Sequence, residues 1–379
     1  MKITGIKAYP LVQPLRDMTF GFSQGWISSR QTTIVIVSTD GGIEGVGESF
    51  GPAKAIAEAV ESYCAPMILG NDPFNSSPIW DEVYGYLRAN SQKGILIEAL
   101  SAIDIALWDI KGKAVGLPVC KLLGGAYRDK ARVYATGLYR PDVENPQEAL
   151  VEEALGYKKD GFPAMKLKIG HVFPEEDLSI IKAIREAIGY EIKLMVDANC
   201  AYNAAEAIRL AKQMEEYDIY WFEEPVPPED IDGSIEVKNN TNIRIASGEC
   251  ECTRYGFSQL ISRRAVDIIQ PDVCIAGGFT EIEKILAMAS AWNIQCVPHV
   301  WGTNVAIAAA LHYYAAIPHI PTKFNPPEPF FEADRSPNPL REGTTHEKFV
   351  IKDGYIDIPE KPGLGVTLDM DFIKAKSSR

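Results

Sequence analysis

The sequence pattern that decides the fold is clearest in residues 165–223, which read MKLKIGHVFPEEDLSIIKAIREAIGYEIKLMVDANCAYNAAEAIRLAKQMEEYDIYWFE. Three short apolar runs, at 165–169, 194–197 and 221–223, have the length and composition of buried strands. Between them lie two amphipathic stretches, at 174–186 and 204–216, with the periodicity of helices. Strands that alternate with helices in this way indicate a parallel sheet.

The same alternation continues on both sides of this stretch. Further strands are predicted at 133–137, 243–247, 268–271, 294–298 and 330–332, with helices at 280–292 and 305–316. Eight strands in about 200 residues predict closure into an α/β barrel, a modified (β/α)8 barrel. The alternative is a doubly wound open sheet. It is disfavoured because no Gly-x-Gly-x-x-Gly follows any of these strands, and Gly277-Gly278 lacks that spacing.

A different pattern precedes and follows the barrel. Residues 32–37 are rich in β-branched side chains and end at a turn, Asp40-Gly41-Gly42, after which 43–47 can pair back as a hairpin. Residues 94–110 are apolar on most sides, which predicts a buried helix. Short strands are predicted at 348–351 and 355–358. We therefore expect an α+β capping domain at 1–128, the barrel at 129–344, and a C-terminal segment at 345–379 that returns to the capping domain.

The composition indicates which kinds of binding partner and which cellular location are expected. The 379 residues include 38 Lys and Arg against 51 Asp and Glu, a net charge of −13. This balance opposes attraction to nucleic acid or to anionic membranes, so neither is expected as a partner. No run approaches the roughly 20 apolar residues of a membrane span, and the N-terminus lacks the features of a secretory signal. The seven scattered cysteines form no zinc pattern, and we expect free thiols in a cytoplasmic protein.

Ionisable residues stand at the same end of seven consecutive predicted strands. In chain order they are Lys166 with Lys168, Asp197, Glu223, Glu249, Asp272, His299 and Glu332. The steps from Asp197 to Glu223 and from Glu223 to Glu249 are 26 residues each, close to the length of one strand–helix unit. In a barrel the C-terminal ends of the strands surround one mouth, where catalytic residues lie. The spacing therefore predicts one ring of side chains.

Three acids of this ring indicate a metal site. Asp197, Glu223 and Glu249 lie on adjacent predicted strands and supply hard oxygen ligands. Such a set suits Mg²⁺ and leaves coordination positions open for water and substrate.

The bases of the ring indicate acid–base chemistry. Lys166 and Lys168, two residues apart in one strand, point to the same side. Asp272 and His299 lie on the next two strands after the acids, an arrangement in which a carboxylate can orient an imidazole.

The motifs that contain these residues are Lys166-Leu167-Lys168, Asp197-Ala198-Asn199, Trp221-Phe222-Glu223-Glu224-Pro225, Gly248-Glu249, Gln270-Pro271-Asp272 and Pro298-His299-Val300-Trp301-Gly302. Together they resemble the enolase superfamily, in its mandelate racemase subgroup, over essentially the whole chain. Within the subgroup the chain is most similar to cycloisomerases and dehydratases of acid sugars. The stretches 134–137, 325–329 and 334–339 carry that narrower resemblance.

The resemblance implies removal of the proton α to a carboxylate of a sugar acid or its lactone, followed by β-elimination. Carried over residue by residue, the metal ligands of Mg²⁺ would be Asp197, Glu223 and Glu249. Lys168 would be the base on one face of the substrate, and His299, oriented by Asp272, the base or acid on the other. Lys166 would contact the enolate oxygen, and Glu332 would donate a hydrogen bond to the other oxygen. Substrate contacts are expected from Asn199, Arg140 and Trp301.

Three other functions stay open on these residues. A racemase or epimerase of an α-hydroxy acid would also use bases on two faces. A Schiff-base aldolase would use one lysine but gives no role to three spaced carboxylates. The last alternative is a non-catalytic binder of sugar acids. A symmetric homo-oligomer is expected from the base rates of soluble enzymes.

Overall fold

The N-terminal part of the chain combines an antiparallel sheet with a layer of helices in the computed structural model, which describes residues 1–378. Its strands are β1 (Ile3–Pro14), β2 (Phe20–Phe22), β3 (Gly25–Ile27), β4 (Ser29–Thr39) and β5 (Glu44–Phe50), and its helices are α1 (Ala53–Glu58), α2 (Ala65–Ile68), α3 (Ser76–Leu87), α4 (Ile95–Val115) and α5 (Val119–Leu122). Strands β1, β4 and β5 pair antiparallel, and β4–β5 is the predicted hairpin. Helix α4 is buried along most of its length, as its apolar composition predicts.

Two glycines bring α4 directly onto this sheet. A Cβ atom at Gly45 would lie 2.0 Å from the carbonyl oxygen of Ala106, and one at Gly47 would lie 1.9 Å from that of Ala102. Any larger residue at either position would therefore push the helix away from the sheet. This close packing positions the end of β5, which faces the barrel.

From residue 130 the chain alternates strands and helices, as predicted. The strands are β6 (Lys130–Thr136), β7 (Arg140–Pro141), β8 (Ala164–Lys168), β9 (Lys193–Asp197), β10 (Ile219–Glu223), β11 (Ile245–Ser247), β12 (Ile268–Ile269), β13 (Gln295–Cys296) and β14 (Phe330–Asp334). The helices are α6 (Pro146–Lys159), α7 (Pro174–Ile188), α8 (Ala204–Met214), α9 (Ile231–Asn239), α10 (Thr253–Ser262), α11 (Gly278–Trp292) and α12 (Asn304–Ala316). Apart from β7, these strands lie in the order β14-β6-β8-β9-β10-β11-β12-β13, with parallel pairing throughout.

Inward-facing side chains close the sheet into a barrel. Every strand, or the residue next to it, contributes to one buried cluster, which consists of Tyr134, Ala164, Met195, Trp221, Ala246, Ile268, Val297 and Phe330. Since both ends of the strand order meet in this cluster, the predicted α/β barrel is confirmed. Short β7 instead pairs with β2, which ties the β2–β3 hairpin of the capping domain to the barrel mouth.

The C-terminal segment contacts both parts of the molecule. Strand β15 (Tyr355–Asp357) pairs antiparallel with β6, whereas helix α13 (Met370–Lys376) packs on β1 of the capping domain. The backbone N–H of Leu364 donates to the Asp109 carboxylate of α4, 2.8 Å away. Within residues 1–378, seven helices, α6 to α12, surround the eight strands of the barrel. The barrel therefore has one helix fewer than the eight strand–helix units of a regular (β/α)8 barrel, since α13 packs on the capping domain instead.

The strand predicted at 348–351 is wrong. Within the described chain these residues make no backbone ladder, because the pairing at the start of β6 goes to β15. The domain boundaries at 128/129 and 344/345 stay a prediction. All seven cysteines are free, and none of the helices within residues 1–378 has both the length and the apolarity to cross a membrane.

Candidate active site

Backbone pairing brings the ends of three neighbouring strands into register. In the parallel ladders Lys168 stands opposite Asp197, and Asp197 stands opposite Glu223. Just beyond these strands, Asn199 and Glu224 have φ angles of 41° each, in the left-handed region that few residues other than glycine adopt. These sharp turns keep Asn199 at the mouth of the barrel, where its side-chain NH₂ group donates a hydrogen bond to Glu249 over 3.2 Å.

The three predicted metal ligands converge. Each of Asp197, Glu223 and Glu249 offers a carboxylate oxygen, and these oxygens lie within 4.8 Å of one another. Trp221 and Gln270 donate to the second oxygen of Glu223 from 2.9 and 2.7 Å, which holds that carboxylate in place. The Oε2 atom of Glu249 is buried and has no hydrogen-bond partner among the described residues. Convergent hard oxygens with one unsatisfied member fit a divalent cation such as Mg²⁺.

Both lysines of β8 contact these acids. Lys166 is fully buried, and its Nζ lies 2.5 Å from Glu223 and 2.9 Å from Glu332. Lys168 lies 2.5 Å from Asp197 and 2.9 Å from the side-chain oxygen of Asn199.

The charges of this cluster shift the pKa of its members in opposite directions. Burial opposes ionisation of Asp197, but Lys168 and Lys166 outweigh it and lower the pKa of Asp197 to about 2. Burial raises the pKa of Glu223 to about 8, although Lys166 offsets part of this effect. A buried carboxylate that is only partly neutralised by lysine is a suitable ligand for an additional cation.

The predicted histidine–aspartate pair is formed. His299 Nδ1 lies 2.8 Å from Asp272 Oδ2, and the backbone N–H of Cys274 holds the other oxygen of Asp272 at 2.7 Å. His299 Nε2 faces the metal-ligand side, 3.5 Å from Glu249. Burial alone would lower the pKa of His299, but Glu249, Glu332 and Asp272 raise it to about 10. The imidazole is thus oriented through one nitrogen and presents the other to the mouth of the barrel.

Glu332 completes the ring on β14. Its carboxylate accepts hydrogen bonds from Thr136 Oγ1 at 2.5 Å and from the backbone N–H of Val300 at 2.8 Å. Despite burial, Lys166 and His299 lower the pKa of Glu332 to about 2. In this state Glu332 accepts hydrogen bonds, whereas its predicted role is to donate one.

Several of these groups line the floor of a cavity of about 180 Å³ between the capping domain and the barrel. The described residues that line it are Phe22, Ile27, Phe50, Tyr139, Lys168, Asn199, Glu249, His299, Trp301 and Glu332. Apolar side chains, including three from the capping domain, therefore cover a polar and charged floor. Such a combination is typical of a site that binds a small molecule and holds it in one orientation.

The structure brings two of the three predicted substrate contacts into this cavity. Asn199 and Trp301 line it, and Trp301 Nε1 is buried without a hydrogen-bond partner in the described part of the chain. Arg140 does not line it. Its guanidinium lies 2.9 Å from Glu176 of α7, in a part-exposed ion pair on the outside of the mouth.

Two buried charged residues of the capping domain were missed by sequence reasoning. Arg30 of β4 stacks over the Trp301 ring, with its guanidinium carbon 3.7 Å from the ring centre, and pairs with Asp334 at 3.1 Å. Glu48 of β5 is fully buried and accepts hydrogen bonds from the N-terminus of α12, which follows His299 and Trp301. Both residues lie just outside the predicted strands at 32–37 and 43–47, and nothing local indicates their partners.

Comparison with known proteins agrees with this geometry. The family model described as "Enolase C-terminal domain-like" matches residues 149–372, and the one described as "Mandelate racemase / muconate lactonizing enzyme, N-terminal domain" matches residues 10–124. The chain belongs to the enolase superfamily. The resemblance expected from its motifs is confirmed, and the chain is an enzyme of this superfamily.

Several enolase-superfamily relatives are named for reactions of sugar acids. D-Galactarolactone cycloisomerase of Agrobacterium fabrum is 42% identical over 98% of each chain. The crystal structure of the 3,6-anhydro-D-galactonate cycloisomerase from Zobellia galactanivorans is also 42% identical, with a TM-score of 0.90 over the whole of both chains. L-Talarate/galactarate dehydratase of Salmonella typhimurium is 32% identical over 95% of this chain and 86% of the relative. A solved structure of an L-talarate/galactarate dehydratase mutant contains Mg and L-glucarate; it is 28% identical, with a TM-score of 0.87 over 100% of this chain and 92% of the other.

Proposed function

We propose that this enzyme removes the proton α to the carboxylate of a sugar acid or its lactone and then eliminates the β-oxygen, with Mg²⁺ as cofactor. The observation that carries the proposal is that Lys168 and the oriented His299 line one small cavity beside three convergent carboxylates. An α-proton of a carboxylate is very weakly acidic, so its removal needs a positioned base and positive charge near the oxygens that become negative. The ring offers both.

Asp197, Glu223 and Glu249 would hold the metal ion. When bound, Mg²⁺ supplies positive charge to the substrate carboxylate, which lowers the cost of the negative charge that develops there. Lys166 adds a second fixed positive charge, because it is fully buried next to Glu223 and Glu332. Glu332 would contribute a hydrogen bond to the other oxygen once it carries a proton.

Lys168 and His299 would move the protons. Lys168 accepts a proton only as a neutral amine, and its contact with Asp197 now favours the charged form. If Asp197 shared its negative charge with a bound metal ion, it would hold the proton on Lys168 less strongly, and the neutral amine of Lys168 could then act as the base. His299 keeps its orientation through Asp272 and presents Nε2 to the cavity, where it can protonate a departing oxygen or take the proton from substrate of the other configuration.

The charges in the cavity favour a substrate with one free carboxylate. Among the described lining residues, only Lys168 and His299 can carry positive charge, and both are assigned to proton transfer. Arg140, the other cation expected here, is paired with Glu176 outside the cavity. An open-chain diacid would therefore place its second carboxylate without a partner, which is costly in a partly buried site. A lactone of a diacid has no such second charge.

In a 1,4-lactone of a six-carbon diacid, the ring oxygen is β to the free carboxylate. Transfer of the α-proton to the base and cleavage of the bond between the β-carbon and this oxygen open the ring without loss of water. The released oxygen keeps both electrons of that bond as the carboxylate of the product, and the enol that remains takes up a proton to give a 2-keto-3-deoxy acid. With a hydroxyl in the β-position, the same steps release water. We propose the ring opening as the principal reaction, and the two cycloisomerase relatives at 42% identity support it.

Racemisation is the second candidate, because two bases on one cavity also suit removal and return of a proton on opposite faces. The Schiff-base aldolase is disfavoured, since both amines of β8 are bound to carboxylates in the barrel.

The deciding experiment incubates the enzyme and Mg²⁺ with galactarolactones, aldarates, aldonates and mandelate. Proton NMR in deuterated water and a semicarbazide assay for 2-keto acids would follow the products. Lys168→Ala is the matched control for background. We expect ring opening of a lactone to a keto acid. If no member yields a keto acid while an α-hydroxy acid is inverted, the elimination is refuted and the racemase is supported.

A further inference from the structure

A second group of potential ligands lies beside the three-carboxylate site. Ligand atoms of Glu224, Glu249 and Cys250 lie within 4.8 Å of one another. Glu249 thus belongs to both groups, whereas Glu224 and Cys250 belong only to the second. Cys250 is exposed at the surface of this group, so an ion can reach it from solvent.

The buried carboxylate of Glu224 has an oxygen that no described residue pairs with, which indicates that a ligand binds there. The residue is only 1% exposed, and its Oε1 atom has no hydrogen-bond partner among residues 1–378. Its other oxygen accepts a hydrogen bond from the thiol of Cys200, with Sγ 3.4 Å away. Buried carboxylate oxygens in folded proteins are normally paired, so an unpaired one within reach of a thiol and a second carboxylate needs a physical reason.

We propose that Glu224, Glu249 and Cys250 form a second cation site, selective for a thiophilic divalent ion such as Zn²⁺. A mixed set of carboxylate oxygens and a thiolate suits Zn²⁺ or Co²⁺, whereas Mg²⁺ prefers oxygen ligands alone. The three side chains leave the fourth coordination position of a tetrahedral ion to water. Binding would displace the proton of the Cys250 thiol.

The shared carboxylate gives this site a consequence for activity. Glu249 is one of three ligands proposed for Mg²⁺, and a thiophilic ion that engages it draws the carboxylate toward Glu224 and Cys250. Zn²⁺ is therefore expected to inhibit an enzyme already saturated with Mg²⁺. This regulatory effect depends on the proposed metal dependence of the reaction, but the ligand set itself does not.

The test uses the chelator-treated full-length enzyme and Co²⁺ in the absence of substrate. Thiolate bound to Co²⁺ gives an intense near-ultraviolet charge-transfer absorption, which Co²⁺ with oxygen ligands alone does not give. We expect a saturable band for the wild type and none for Cys250→Ser. Glu224→Gln should bind Co²⁺ about 10-fold more weakly or worse, since even groups that only support a ligand change affinity by about 10–100-fold.

Two controls separate this site from its surroundings. Cys252→Ser alters a buried thiol two residues away that belongs to neither ligand group, and it should keep the band. Asp197→Asn removes a ligand of the other group only, and it should also keep the band. A band of wild-type strength in Cys250→Ser, or Co²⁺ binding to the wild type without the band, overturns the proposal whatever reaction the enzyme catalyses.

Discussion

Glu48→Gln replaces a fully buried carboxylate of the capping domain by an amide of nearly the same shape. Glu48 Oε1 accepts from the backbone N–H of Thr303 at 2.9 Å, and Oε2 accepts from that of Ala306 at 2.8 Å. A glutamine must turn its NH₂ group toward one of these N–H groups in either orientation. One backbone donor at the start of α12 therefore loses its acceptor and faces another donor.

The expected cost follows from these contacts. A buried donor left unsatisfied costs about 1–3 kcal/mol, and the bond that remains loses its charged acceptor, so we expect a loss of about 2–4 kcal/mol in the free energy of unfolding. The hydroxyls of Thr32 and Thr303, at 2.7 and 2.5 Å from the carboxylate, can rotate and do not add much. Because α12 follows the segment that carries His299 and Trp301, turnover should fall together with stability.

Urea unfolding and amide hydrogen exchange of Thr303 and Ala306 measure the two effects. Thr32→Val is the matched control, since it removes one hydroxyl donor to Glu48 but leaves both backbone N–H groups paired; it should cost about 1 kcal/mol and leave the exchange unchanged. If Glu48→Gln stays within about 0.5 kcal/mol of the wild type, as a surface substitution would, or if both amides remain protected, Glu48 does not hold the active-site segment.

Three further predictions test the site and the core. Treatment with a chelator, or Asp197→Asn, should abolish turnover with the circular dichroism spectrum retained, and full activity without metal would show that the ligand assignment is wrong. Lys168→Ala and His299→Asn should each lower kcat by about 10²–10⁴-fold in the NMR assay, because each group serves one proton transfer; wild-type rates in both variants would exclude a two-base mechanism. Burial lowers the pKa of His312 from its usual 6.5 to about 4, so the folded protein keeps this histidine neutral while the unfolded chain binds a proton below about pH 6.5. The wild type should therefore lose up to about 3 kcal/mol of its free energy of unfolding as the pH falls from about 6.5 to 4, and His312→Asn should not show this loss. The midpoints of urea unfolding measure it, and the same pH dependence in both proteins would contradict the prediction.

The strands and the ring of ionisable residues at the barrel mouth could be predicted from the sequence because their signals are local. Strand and helix periodicity is written in successive residues, and parallel strands of one barrel end at one mouth. A constant spacing from Asp197 to Glu223 to Glu249 therefore predicts convergence without knowledge of any contact. The position of His299 next to Asp272 followed in the same way from neighbouring strands.

The capping domain shows the opposite case. Arg30 meets Trp301 and Asp334, and Glu48 meets Thr303, across more than 250 residues of chain. No periodicity relates such partners, because the angle at which the sheet of the capping domain packs on the barrel decides which side chains meet. The same holds for Phe22, Ile27 and Phe50, whose apolar side chains become walls of the cavity only through that packing.

The sequence by itself thus determined the barrel, the ring at its mouth and the family, since each depends on local pattern or constant spacing. Only the tertiary structure decided that Arg140 pairs with Glu176, that residues 348–351 form no strand, and that Glu224 lies beside Cys250. A guanidinium forms an ion pair with a carboxylate that lies near it in the fold. A segment becomes a strand only where a neighbouring strand has an unpaired edge, and side chains form a ligand set only where they converge. These are properties of neighbours in space, which the order of residues along the chain does not specify.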